Sequence, residues 1–208
     1  MAGITIQVQY NHCTPCQSKV NTENGNYKFL TELEKNWESI LYELKGLLDK
    51  EKNSGQDYFN LWHERGIYHG SWKVFGLHAF GEKLAGNCNR CPITTKIVEA
   101  IPGMITAGFS AMTPKTRILP HTGYTNKVLR CHLGLIIPKA KTNARQEDDC
   151  IDMNNECGLR VGDIIYNWQP GKAFVFDDTE VHEAWNNCNE TRYILLIDFK
   201  KSASASAD

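Results

Sequence analysis

The chain has 208 residues, enough for one domain with a substantial hydrophobic core. Its 23 basic and 24 acidic residues leave a formal net charge of −1, which excludes a broad electrostatic attraction to nucleic acid or to an anionic membrane. Hydrophobic residues at 41% with 23% charged describe a globular chain, and the apolar runs are too short to span a bilayer.

Residues 4–10 (Ile-Thr-Ile-Gln-Val-Gln-Tyr) alternate apolar and polar side chains and predict a half-buried strand. Residues 1–20 show neither a basic leader nor an apolar signal core, so a cytoplasmic location with reduced thiols is expected. The eight cysteines include two close pairs, Cys13-Thr-Pro-Cys16 and Cys88-Asn-Arg-Cys91. Four such thiolates can close a structural zinc site. The long stretch between the pairs is unlike the compact spacing of zinc motifs, and buried thiols or a local disulfide are the alternatives.

Phe29, Leu30, Leu33, Trp37, Ile40, Leu41, Leu44, Leu47 and Leu48 recur at helical spacing, so residues 27–50 are predicted as one amphipathic helix packed on a sheet. From about residue 56 the character changes. Short β-like runs cover 58–62, 72–80, 105–112, 128–137, 159–168, 173–176 and 193–199, separated by turn signals such as Pro102-Gly103, Gly162-Asp163 and Pro170-Gly171. One short helix, 94–100, interrupts them. The pattern predicts a single mainly-β domain over 1–201, a sandwich or barrel. Residues 138–160 are polar and aperiodic and predict a long insertion, and the tail 202–208 is expected to be disordered.

The run 128–137 has one wholly apolar face, Leu129, Cys131, Leu133, Leu135 and Ile137. The other face carries Val128, Arg130, His132, Gly134 and Ile136, and meets either water or a polar cavity. His121 follows Pro120 in a turn-rich segment leading into this run, and His182 follows the run 173–176 and the pair Asp177-Asp178. Arg192 opens the last run. Closing the strands into a small barrel brings these histidines and arginines together. Neutral imidazoles suit an iron ion with positions left open for O₂ and a chelating cosubstrate. An arginine fork suits the far carboxylate of a dicarboxylic acid.

The stretch Leu119-Pro-His121-Thr-Gly-Tyr-Thr-Asn126, continuing through Leu129-Arg-Cys-His132-Leu-Gly-Leu-Ile-Ile-Pro138, resembles the core motif of the aspartyl/asparaginyl β-hydroxylases. So do Pro170-Gly-Lys-Ala-Phe-Val-Phe-Asp-Asp178 and Val181-His182-Glu-Ala-Trp185. The resemblance is dense over 104–199 and thinner over 27–103. It implies a double-stranded β-helix (jelly-roll, cupin-like) and an iron(II)- and 2-oxoglutarate-dependent dioxygenase that hydroxylates an unactivated C–H. By the same resemblance His121 and His182 are the iron ligands. His132 and Arg192 would hold the 2-oxoglutarate carboxylate, with Ser110 and Arg130 in support. Many dioxygenases of this fold place an acid two residues after the first histidine; here Gly123 stands there, as in the family resembled, and Asp177 and Asp178 are expected as groups orienting a ligand or a water.

The implied substrate is the β-carbon of an Asp or Asn residue or a related amino acid, with a lipid acyl chain or small metabolite as the alternative. The peptide-hydroxylating members carry a membrane anchor and a helical-repeat domain ahead of this one, and neither is expected in this chain. Two rival readings are a non-catalytic carboxylate-binding barrel and a zinc-stabilised interaction protein built on the cysteine pairs.

Overall fold

The leucine and aromatic stripe folds as two helices, α1 (Lys28–Lys35) and α2 (Trp37–Ser54), where one was expected over 27–50. They part at Asn36, whose side-chain amide donates to the Glu32 carbonyl at 2.8 Å and so competes with the helical backbone pattern. Gly55, left-handed at φ 68°, ends α2. Leu33, Ile40, Leu44 and Leu47 are fully buried, each contributing about 1.5–3 kcal/mol by leaving water. The computed structural model describes residues 27–138 and 157–201. The strand expected at 4–10, the Cys13/Cys16 pair, the tail 202–208 and positions 139–156 of the expected insertion lie outside them.

After α2 come β1 (Asn60–Leu61), β2 (Tyr68–His69), β3 (Trp72–Ala79) and β4 (Glu82–Lys83). Helices α3 (Ala85–Cys88) and α4 (Pro92–Glu99) follow. Pro92 occupies the first turn of α4, where its missing N–H costs nothing. The N–H groups of Ile93 and Thr94, which have no partner within the first turn, donate to Glu43 of α2 at 2.8 and 2.7 Å, which ties the two helices together. The remaining strands are β5 (Met104–Met112), β6 (Thr116–His121), β7 (Val128–Ile136), β8 (Cys157–Val161), β9 (Ile164–Tyr166), β10 (Ala173–Phe176), β11 (His182–Asn186) and β12 (Arg192–Lys200).

The strands pair antiparallel in two sheets. One has seven strands in the order β1-β3-β5-β12-β7-β10, with β4 added beside β3; the other has five, β2-β6-β11-β8-β9. The chain crosses between sheets repeatedly, and the result is the expected double-stranded β-helix of cupin-like form. Two apolar layers hold it. Leu133, Leu135 and Cys131 of β7 pack with Leu44 and Leu47 outside the larger sheet. Trp72, Met112 and Ile194 of the larger sheet meet Ile118, Leu159 and Ala184 of the smaller one inside.

Four strands were not expected from sequence, the two-residue β2 and β4 and the longer β6 and β11. Thr116–His121 contains Pro120, which ordinarily argues against a strand. The pairing of β6 with β11 shifts register here: His121 faces His182 and Ile118 faces Ala184, leaving Leu119 and Pro120 opposite Glu183 alone. Proline is tolerated because a bulge asks no ladder bond of it. His182–Asn186 lies outside the expected runs, yet it is a strand with all five residues buried. Glu183 explains this, clamped by Arg117 at 2.7 Å and Arg160 at 2.6 Å on the outer side of the sheet. The run expected over 159–168 is a hairpin turning at Gly162, φ 53°, and the insertion expected over 138–160 is strand from Cys157 onward.

If the helical stripe is the outer core layer, Leu44→Ala should cost about 2–5 kcal/mol. Exposed Tyr42, two residues away, should tolerate alanine within about 0.5 kcal/mol. Urea unfolding of the two variants measures both; equal losses would mean that the stripe does not face the sheet.

Candidate active site

The register that opposes His121 and His182 sets their rings side by side, centroids 4.2 Å apart. The two rings are held in the same way. His121 Nδ1 donates to the Leu119 carbonyl at 2.8 Å, and His182 Nδ1 to the Glu180 carbonyl at 2.9 Å. A carbonyl can only accept, so the proton sits on Nδ1 and the Nε2 lone pair of each neutral ring is left bare. His182 Nε2 is buried without any partner. Burial holds the His182 ring down to about 4, so it stays neutral across the physiological range.

Both histidines line a cavity between the sheets, together with Ser110, Arg130, His132 and Arg192. The six residues expected at the iron and 2-oxoglutarate sites therefore reach one space. Ile118, Leu159, Phe176, Ala184, Ile194 and Leu196 supply its apolar wall. Arg130 and His132 point inward, not to solvent, and His132 is 6% exposed. Burial, and then the nearby Arg130 and Arg192 cations, hold the His132 ring well below its ordinary value of 6.5.

The two arginines differ in kind. Arg130 is neutralised: its Nε and Nη2 donate to both oxygens of Asp198 at 2.7 and 3.0 Å, and Nη2 lies 3.2 Å from Asp178. The expected supporting contact to a carboxylate ligand meets a guanidinium already engaged by two protein carboxylates, so Arg130 is first a structural cation. Arg192 is 2% exposed, and its Nε and Nη1 have no hydrogen-bond partner. Among the described residues no carboxylate pairs with it. Burial lowers it to about 10, which leaves it charged. Ser110 lies in the same wall, where its Oγ accepts from Trp72 Nε1 at 3.0 Å.

Gly123, standing where an acid was looked for, is a glycine for a local reason. A Cβ there would fall 2.4 Å from an oxygen of Asp178, and the Gly123 N–H donates to the Asp178 carbonyl at 2.6 Å. The carboxylate missing from position 123 is thus replaced in space by one reached from position 178. Asp178 is 1% exposed, and burial raises its carboxyl above the usual range despite Arg130. Asp177 does something else: its Oδ1 accepts from the Thr179 N–H and hydroxyl, closing a turn. No group of three metal-binding side chains occurs among the described residues, so the histidine pair stands as two protein donors.

Sequence reasoning missed Asp198 and Trp168. Asp198 had a signal, a lone acid inside the apolar run 194–199. Trp168 lies between β9 and β10, and its Nε1 donates to His132 Nδ1 at 3.3 Å. Cys88 and Cys91 are buried free thiols; the Cys88 thiol donates to the Leu77 carbonyl at 3.2 Å, and burial pushes Cys91 up to about 12. The zinc reading also needs Cys13 and Cys16, which lie outside the described residues.

The family model described as aspartyl/asparaginyl beta-hydroxylase matches residues 34–202. An ornithine lipid ester-linked acyl 2-hydroxylase of Rhizobium tropici is 40% identical over 136 residues, covering 65% of this chain and 44% of that protein. The human aspartyl/asparaginyl beta-hydroxylase is 32% identical over 183 residues, covering 85% of this chain and 21% of that protein. The chain thus spans less than half the length of either relative. A cupin-like protein of Thermotoga maritima aligns at a TM-score of 0.40 and 10% identity, over 69% of this chain and 81% of that one. The chain belongs to the aspartyl/asparaginyl β-hydroxylase family of hydroxylases.

Two buried neutral histidines, His132 and His182, give the fold a defined acid sensitivity. The unfolded rings take protons near 6.5, while His182 in the fold does so only near 4. Their stabilisation is complete above 6.5 and is lost as pH falls toward 4. The lowered carboxylates Glu99, Asp177 and Glu183 have ordinary values of 3.8–4.5 and act mainly below that window. Metal-free protein should therefore lose about 2–3 kcal/mol of stability between pH 6.5 and 4.5, followed by urea midpoints. His182→Gln should flatten that slope; a flat wild-type profile would mean that the rings are already charged.

Proposed function

We propose that this chain is an iron(II)- and 2-oxoglutarate-dependent hydroxylase. The observation that carries the reading is the set of unpaired polar atoms in one cavity: the His182 Nε2 lone pair beside the His121 ring, and with it a partnerless His132 Nε2 and the Nε and Nη1 of Arg192. Buried polar atoms without partners are costly. Lone pairs fit a cation, and the cationic donors fit a carboxylate.

His121 and His182 would hold the iron, neutral and oriented through their Nδ1–H bonds to backbone carbonyls. Two protein ligands leave coordination positions free for a chelating cosubstrate and O₂. Bound there, iron(II) supplies the oxygen activation that couples oxidative decarboxylation of 2-oxoglutarate, to succinate and CO₂, with hydroxylation of a C–H bond. Arg192 pairs with the distal carboxylate of 2-oxoglutarate, and His132 donates its Nε2–H beside it. Arg130 stays with Asp198 and Asp178 and keeps that side of the wall rigid. The apolar wall of Ile118, Phe176, Ala184 and Leu196 excludes water and strengthens each of these interactions.

For the substrate, the human relative's name gives the β-carbon of an aspartyl or asparaginyl residue, and we take a side chain of that kind as the leading candidate. A specific observation favours a second reading. Tyr124, on the loop that follows His121, and Phe80, in the turn between β3 and β4, are 61% and 66% exposed and stack edge-to-face at 5.5 Å. An apolar lip of this kind suits an acyl chain, the group named for the Rhizobium relative.

Succinate release from 2-oxoglutarate, measured with iron(II) against peptides, free amino acids and acyl lipids, tests the reading and separates the substrates. His121→Ala and His182→Ala should each abolish iron binding and turnover while the chain stays folded. Arg192→Lys should raise the KM for 2-oxoglutarate at least about tenfold with iron affinity intact, because an ammonium cannot replace a buried bidentate fork. An unchanged KM would assign the distal carboxylate to another cation. Absence of iron-dependent succinate release in the presence of every substrate class would favour a carboxylate-binding barrel without catalysis.

A further inference from the structure

We infer that Trp168 is a positioning residue of this cavity: its indole N–H sets the tautomer of His132 and its ring seats Arg192, so that both aim donors at one ligand carboxylate. The identity of that ligand, 2-oxoglutarate, rests on the reading above; the positioning does not.

Trp168 is 4% exposed, and its Nε1 lies 3.3 Å from His132 Nδ1. An indole nitrogen only donates, so Nδ1 must be bare and the neutral ring must carry its hydrogen on Nε2. That Nε2 is buried without a protein partner in the cavity wall. In the opposite tautomer a lone pair would face the carboxylate and repel it. The indole thus selects the donor form. The same ring lies 4.6 Å from the Arg192 guanidinium carbon. An aromatic face attracts a guanidinium without using its N–H groups. A protein carboxylate would use them, as Asp198 does on Arg130.

A glycine places the tryptophan. Gly134 follows His132 by two residues and so shares its face of β7. A Cβ at 134 would fall 2.2 Å from the Gln169 carbonyl oxygen. Because there is none, the 167–172 loop lies directly on the strand. Gly134 N–H donates to Lys172 O at 3.0 Å, and its carbonyl accepts from Gly171 N–H at 2.9 Å. Trp168 enters the cavity wall beside His132 as a consequence.

Nitrogen-15 NMR of the full chain without added metal should show His132 with Nε2 protonated and Nδ1 bare. Trp168→Phe keeps an aromatic face and removes the N–H. It should shift His132 toward a mixture of tautomers and weaken 2-oxoglutarate binding about five- to tenfold, the effect of one buried hydrogen bond, with iron(II) affinity unchanged. Trp168→Leu, which also removes the ring, should weaken it further. Finding His132 as the Nδ1–H form in the wild-type chain overturns the inference even if no variant folds. So does a Trp168→Phe protein with both tautomer and 2-oxoglutarate affinity unaltered. A wild-type protein that binds no 2-oxoglutarate removes the cosubstrate, while the NMR result still decides the role of Trp168.

Discussion

A guanidinium held inside an apolar barrel with no carboxylate partner among the described residues is a costly arrangement, and much of the surrounding fold serves to keep it there. Moving an ion of this kind out of water costs several kcal/mol even after relaxation. Arg192 remains charged because burial lowers it only to about 10. It cannot swing out to solvent, since β12 is paired along its length with β5 on one side and β7 on the other. Arg130 shows the ordinary solution to the same problem, two carboxylates at hydrogen-bond range. The cavity therefore has one cation that is spent and one that is available, and the available one gives it a preference for anions.

The histidine pair obeys a complementary rule. An imidazolium at His182 would be buried and would face the His121 ring at 4.2 Å between centroids, so burial and then proximity favour the neutral His182. Neutral rings with Nδ1–H tied to carbonyls are what a metal cation needs from imidazole. The bulge at Leu119-Pro120 is central to this, because it slips β6 against β11 and brings His121 level with His182. Without the slip, the strand alternation would pair His182 with a different residue and point His121 elsewhere.

The sequence disclosed the polar groups better than their partnerships. The alternation in 128–137 separates Arg130 and His132 from the leucine face, but it cannot say whether the polar face meets water or a cavity. Only the second sheet decides that, and its two strands nearest the site, β6 and β11, were hidden by Pro120 and by the polar run His182-Glu183. In each case a tertiary feature overrides the local signal: a bulge accommodates the proline, and Arg117 with Arg160 neutralises the glutamate. Arg130 was legible as a supporting contact for a carboxylate but not as a cation already committed to the protein's own acids, since Asp198 lies far along the chain. The helical stripe was legible throughout; its break at Asn36 depends on a single side chain turning back to Glu32.

Gly123 and Gly134 show how the site constrains residues that carry no chemistry. Each lies two positions after a histidine on the strand or loop that carries it, and each has a neighbour where its Cβ would be. At Gly123 that neighbour is the Asp178 carboxylate; at Gly134 it is the Gln169 carbonyl. The first lets an acid approach the His121 loop from the turn between β10 and β11, and the second lets the Trp168 loop press onto β7. Alanine at either position would displace a group next to the cavity without removing any polar atom from it. The barrel therefore specifies its inner surface by close backbone approach as much as by side-chain choice, and the absent Cβ atoms belong to the site as fully as the imidazoles do.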